Sequence, residues 1–371
     1  MEKINLELSK QLRHTLHQHP ELSNRESWTK EYLIAFLKKH TRLEIVDNEH
    51  WFYAVYRAGK DKTNIAFRAD FDALPIEEEI VIPYASKIPG VSHKCGHDGH
   101  AASLVGFALE IDQKGADKNI YFLFQPAEET GEGAIQCISF IKDNNIQEIF
   151  AYHNNSGMPL KSVNIIDGTS FCASKGMIIE MEGLPAHASE PEKGANPAFA
   201  IAKIIDCIPE LISPENNIGM VLCTVIQVDV GERAFGLSAS RGKLLLTIRA
   251  LYEKEMDKLQ ISLEEIALAK AEEYRLRLKI SYQDAFPETA NHEASADKIR
   301  QVCGIKGLQL IEMKEPFRAS EDFGYYLKQT KGAICFIGNG EEYPALHSSS
   351  YDFPDEIIET AVELFKGLSD L

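Results

Sequence analysis

The chain has no disulfide framework, no membrane-spanning run and no basic tract, and each absence removes a class of function. Its seven cysteines (95, 137, 172, 207, 223, 303 and 335) are odd in number and scattered, and they form no CxxC pair. That excludes a stapled secreted scaffold and leads us to expect free thiols in the cytoplasm. No uncharged apolar run approaches the length that spans a bilayer, and MEKINLELSKQLRHTL at the N-terminus lacks the apolar core of a signal peptide. Lys and Arg number 39 against 56 Asp and Glu, a net charge of −17. No basic stretch exists to displace counterions, which argues against nucleic acid or an anionic membrane as partner. The negative excess serves solubility and specifies no substrate. Internal repeats and low-complexity tracts are also missing.

What is present is a globular composition, 44% apolar and 26% charged, over 371 residues, a length that suits two domains. Ile4, Leu8, Leu12 and Leu16 recur at helical spacing, and residues 27–40 read as a second helix. Apolar runs at 51–57, 64–70, 119–125 and 148–154 suit strands, with helical patterns at 101–111 and 134–144 between the last three. The alternation predicts an α/β fold, a mostly parallel sheet covered by helices. From about residue 172 the pattern changes. Alternating segments at 175–183, 221–232 and 243–253, with helices at 196–208 and 256–275, suggest a β-α-β-β-α-β, ferredoxin-like α+β domain inserted into the first. The expected division is 1–172 and 287–371 for the first domain and 173–286 for the insertion.

The densest chemistry lies in HKCGHDGH (93–100), followed about 30 residues later by QPAEE (125–129). Thiolate, imidazole and carboxylate are the ligand set of a borderline-soft divalent metal. Cys95 and His97 flank a turn, Glu129 follows a strand, His153 closes the next strand, and His347 stands before the last helix. Five ligands exceed one tetrahedral site and suit two metals sharing a bridging water or hydroxide, with Glu128 beside a ligand as general base. Blander readings remain for single residues. The pair Cys95 and His97 also suits half of a structural zinc site, and Asp70 and Asp72 also suit a cap on the turn at Leu74-Pro75. His14, His17 and His292 read as surface or packing histidines and receive no role.

The motifs resemble, in order and spacing along the whole chain, those of the co-catalytic metallopeptidase family of aminoacylases and carboxypeptidases. The nearer likeness is to its amidohydrolase branch of hippurate hydrolases, N-acetyl-diaminopimelate deacetylases and auxin-conjugate hydrolases. They are LHQHPELS (16–23), RADFDALPI (68–76), HKCGHDGH, QPAEE, HN (153–154), GLPAHAS (183–189), SEDF (320–323) and ALHSSSYDF (345–353). The resemblance implies Cys95, His97, Glu129, His153 and His347 as ligands of two divalent ions (zinc, manganese, cobalt or nickel), with Cys95 bridging. It implies Glu128 as general base, His187 as oxyanion donor, Arg249 as the group that meets the substrate, and Asp72 and Asp98 as supports. The inserted domain would act as lid and dimerisation domain of a homodimer. The implied activity is cleavage of the amide bond of small N-acyl amino acids. The alternatives are a dipeptidase or carboxypeptidase-like enzyme, and a catalytically silent metal-binding relative. HNNSGMPL and GERAFGLSAS depart from the family pattern, and both bear on substrate identity.

Overall fold

Two helices open the chain, α1 (Lys3–Gln18) and α2 (Ser27–His40). Leu12 and Leu16 on α1, and Leu33 and Leu37 on α2, recur at helical spacing and are buried, so each helix turns one apolar stripe inward. Then come β1 (Glu44–Asp47), β2 (Phe52–Tyr56), β3 (Asn64–Asp70), α3 (His97–Lys114) and β4 (Asn119–Gln125). Short α4 (Gly133–Cys137) and α5 (Ser139–Asp143) lead to β5 (Glu148–Ser156), β6 (Val163–Ile165) and β7 (Gly168–Phe171). All seven residues of β4, NIYFLFQ, are buried, as expected of a strand covered on both faces.

An inserted segment follows: β8 (Ala173–Glu182), β9 (Ala186–His187), α6 (Pro197–Leu211), β10 (Val221–Val230), β11 (Leu237–Ser238), β12 (Arg241–Ala250), α7 (Glu253–Glu273) and β13 (Arg277–Phe286). The chain ends with β14 (Thr289–Asn291), α8 (Glu293–Lys306), β15 (Leu310–Glu312), α9 (Gly324–Leu327), β16 (Lys331–Gly340) and α10 (Glu356–Asp370). The computed structural model describes every residue, 1–371, and divides the chain into two units. One comprises 1–170, 289–316 and 321–371, and the other comprises 171–288 and 317–320.

The larger unit is built on an eight-stranded sheet in the order β1-β2-β4-β3-β5-β16-β6-β15. From β4 through β3 and β5 to β16 the strands run parallel, giving the mostly parallel α/β sheet that the alternation predicted. β2 instead pairs antiparallel with β1, to which a short connection joins it as a hairpin, and antiparallel with β4 on its other side. The carboxyl ends of β3, β4 and β5 share one edge of the sheet, where ligands of such sheets collect. Behind that edge α3 is buried from His97 to Ile111. Its Gly99 permits this, since a Cβ there would lie 2.3 Å from the Phe353 ring.

The inserted unit has a four-stranded antiparallel sheet, β10-β12-β8-β13. Ile201 and Ile204 of α6 and Leu259 and Leu263 of α7 form its core with Ile179, Leu244, Leu246 and Ile248. This is the ferredoxin-like arrangement that the sequence pattern predicted. No helix of the chain is long and apolar enough to cross a membrane, and all seven cysteines are free.

His17 is not at the surface but buried between two carboxylates. Its Nδ1–H donates to Asp98 Oδ2 at 2.8 Å and its Nε2–H to Glu78 Oε1 at 2.8 Å. Burial alone would lower its pKa, but Asp98 and Glu78 outweigh that and push it from 6.5 up to about 9. A folded pKa above the unfolded one means that the stabilisation is complete below about pH 6.5 and is lost as pH rises through about 9. At 1.36 kcal/mol per unit, the loss is on the order of 3 kcal/mol. Denaturant midpoints measured from pH 6 to 10 will therefore fall more steeply for the wild type than for His17→Gln. Equal slopes would refute the pairing.

Candidate metal centre

Three loops, one strand and a helix start bring five side chains together. Gly96 has φ 98°, in the left-handed region, and a Cβ there would meet Asn154 Oδ1 at 2.5 Å. Only glycine fits, and the turn it makes presents Cys95 on one side and His97, first residue of α3, on the other. Cys95 Sγ lies 3.5 Å from His153 Nε2 and 3.3 Å from His347 Nε2. Glu129 Oε1 lies 3.6 Å from His347 Nε2 and 3.8 Å from His97 Nε2. Glu128 Oε2 is also 3.8 Å from His97 Nε2. His153 sits within β5 rather than at its end, since the strand continues to Ser156.

The imidazoles are aimed by what holds their other nitrogen. His97 Nδ1–H donates to Asp72 Oδ1 at 3.0 Å, and His153 Nδ1–H donates to the Asn154 carbonyl at 2.7 Å. In each ring Nε2 is left to face the cluster, the arrangement by which carboxylates and carbonyls orient metal-binding histidines. Asp72 Oδ2 also accepts from the Glu129 N–H at 3.0 Å and from Ser23 Oγ at 2.7 Å, so one carboxylate aligns two cluster members and is no turn cap. Asp98 binds Arg13 Nη1 at 3.2 Å and His17, which anchors the start of α3. His100 is occupied on both nitrogens, by Asp70 Oδ1 and Asn154 Oδ1, each at 2.6 Å.

Sequence reasoning missed the support of the QPAEE loop. Ala127 adopts φ 49°, a strained conformation for a residue with a Cβ, and its N–H donates to Glu26 Oε1 at 2.8 Å. Glu26 stands outside the motif residues assigned a role, and no local pattern marks it. Arg68 opens RADFDALPI, and nothing in that motif signals its role. It is buried, and its guanidinium meets Asp70 (2.6 Å), Glu321 (3.0 Å) and Asp322 (2.9 Å).

The electrostatics favour a bound cation. Burial, then the charges of Glu321, Glu129, Asp322 and Asp70, push Glu128 well above the usual carboxylate range. Burial raises Glu129 to about 7 against the pull of His97. The Cys95 thiol is pushed well up by burial and then by Glu129 and Glu128, while burial holds His153 well down. His97 goes the other way, because Asp70, Asp72 and Glu129 outweigh burial and lift it to about 10. Moreover, His97 Nε2 and Glu129 Oε1 are buried without any hydrogen-bond partner. Unpaired buried polar atoms are costly, and a dication met by sulfur, nitrogen and oxygen donors satisfies them together. The residues fit such a group.

A match to the model of peptidase family M20/M25/M40 spans residues 66–370. The chain belongs to this family. An N-acetyl-L-cysteine deacetylase of Bacillus subtilis is 29% identical, covering 99% of this chain and 90% of the relative. An N-acetyldiaminopimelate deacetylase of Shouchella clausii is 30% identical, covering 95% of each. Among solved structures, a dinuclear metal-binding peptidase of the M20 family from Bacillus subtilis superimposes with a TM-score of 0.85 at 24% identity, over 100% of this chain and 98% of that one. That likeness bears on the fold.

Two of the predicted residues of this M20-family chain lie in the inserted unit. His187 is exposed on β9, opposite Leu237 of β11. Its Nδ1 accepts from the Ser189 backbone N–H at 3.2 Å, which leaves Nε2 as the ring's donor. Arg249, on β12, donates through Nη1 to the Arg318 carbonyl and to Ser320 Oγ at 2.7 Å. Burial lowers its pKa, and these partners fix the guanidinium.

Proposed function

We propose that the chain is a metal-dependent amidohydrolase that cleaves the amide bond of small N-acyl amino acids, releasing a carboxylic acid and a free amino acid. The observation that carries this reading is the meeting of Cys95, His97, Glu129, His153 and His347 around two unpaired buried atoms, with Glu128 beside them. The deacetylase relatives support the substrate class.

Those five side chains would hold two divalent ions of zinc, manganese, cobalt or nickel. When bound, such ions supply Lewis acidity toward the amide oxygen and lower the pKa of water toward about 7. Glu128 takes the proton of the attacking water and returns it to the leaving amine nitrogen. Asp72 keeps His97 and Glu129 aligned. His187 Nε2–H donates to the oxygen that becomes negative, and Arg249 meets the substrate carboxylate. The inserted unit acts as lid and dimerisation domain of a homodimer. The dimer reading draws support from β10, an edge strand that exposes Val225, Ile226 and Val228. A single monomeric species in sedimentation would overturn it.

His187→Ala will lower kcat by about 10²–10³, the usual effect of deleting one oxyanion donor, and leave the metal content at its wild-type value. Steady-state kinetics with metal analysis test both halves. The substrate class is tested by a panel of N-acetyl and N-benzoyl amino acids beside dipeptides, assayed with each metal. Cleavage confined to N-acyl amino acids is expected, and cleavage of dipeptides alone would contradict the reading.

A further inference from the structure

Lys94 stands one residue before Cys95 and takes part in no step above, yet it is fully buried. Its Nζ donates to Glu78 Oε1 at 2.5 Å and to the Tyr351 carbonyl at 2.7 Å. Its own carbonyl accepts from the His347 N–H at 2.7 Å. One residue thus grips the 347–351 loop at both ends.

His347 requires such a grip. Its φ of 63° lies in the left-handed region, which a residue with a Cβ keeps only where its surroundings impose it. Its side chain is 51% exposed, whereas His97 is fully buried. Where His97 and His153 are aimed through Nδ1, His347 is aimed through its backbone. Glu78 extends the linkage, because the oxygen that binds Lys94 also accepts from His17, whose other nitrogen holds Asp98 beside His97. The loop bearing His347 and the helix start bearing His97 are therefore keyed to one buried carboxylate.

We propose that Lys94 is a positioning residue for metal binding, holding the 347–351 loop so that His347 Nε2 faces Cys95 and Glu129. This rests on the reading of the cluster as a metal centre. An ammonium at this position does more than neutralise Glu78, since one of its protons goes to the Tyr351 carbonyl.

The test is calorimetric titration of Zn²⁺ into chelator-treated full-length protein: wild type, His347→Ala, Lys94→Met and the double variant. The wild type should bind two ions, and His347→Ala should weaken one of them. Lys94→Met should weaken that same ion by about 10–100-fold, the usual cost of losing a group that orients a ligand. The double variant should bind no more weakly than His347→Ala alone. Additive losses, or wild-type binding by Lys94→Met, would overturn the proposal. Wild-type binding by His347→Ala would instead overturn the metal-centre reading beneath it. Should Lys94→Met fail to fold, Lys94→Gln removes the ammonium while keeping a polar group beside Glu78 and leaving the Glu78–His17 contact in place. That variant should still show the weakened ion, and wild-type affinity would overturn the proposal.

Discussion

Glu128→Gln will lower kcat by about 10²–10⁴ while both metals remain bound, because glutamine keeps the shape of the side chain and cannot accept a proton. The environment of Glu128 sharpens this expectation. Burial and the charges of Glu321, Glu129, Asp322 and Asp70 hold its carboxylate well above the usual range, so its negative form is destabilised where it stands. Removing that charge relieves repulsion in the metal-free protein, and there the variant will be at least as resistant to denaturant as the wild type. Lost turnover with stability kept is the signature of a group retained for chemistry at the expense of the fold. Paired measurements of kcat and denaturation midpoint test it, and wild-type turnover would remove Glu128 from the mechanism.

Arg68→Met will destabilise the larger unit by roughly 3–5 kcal/mol, the usual cost of breaking a buried ion pair from one side. The guanidinium faces Asp70, Glu321 and Asp322, and its Nε donates to Gln125 Oε1 at 2.9 Å. Methionine fills much of the space but leaves those carboxylates without their cation. Asp70 also holds His100, so the damage reaches the wall of the candidate metal centre. Chemical denaturation followed by circular dichroism measures the loss. A change below about 1 kcal/mol, ordinary for a surface substitution, would contradict the account.

Three of the five candidate ligands were legible locally, since Cys95, His97 and Glu129 lie in dense motifs, whereas His153 and His347 stand alone and were reached only through the order and spacing of motifs along the whole chain. Cys95, His97 and His100 share eight residues, Glu128 and Glu129 are adjacent, and the turn at Gly96 shows in the glycine itself. The alternation of strand and helix located the parallel sheet, because period and length are properties of short segments. The supports were illegible for the opposite reason. Glu26 reaches Ala127 across 101 positions, Lys94 reaches Tyr351 across 257, and Arg68 meets Asp322 across 254. Nothing within a short window marks such pairs. The partners of His17 were hidden on the same ground, since Glu78 and Asp98 flank it only after the chain has folded.

The most direct test of the central claim is a titration of chelator-treated protein with Zn²⁺, following hydrolysis of an N-acetyl amino acid at each addition. The account predicts no turnover without metal, a rise to a plateau at two equivalents, and no recovery in Cys95→Ala. Undiminished hydrolysis after chelation, or a plateau at one equivalent, would contradict it.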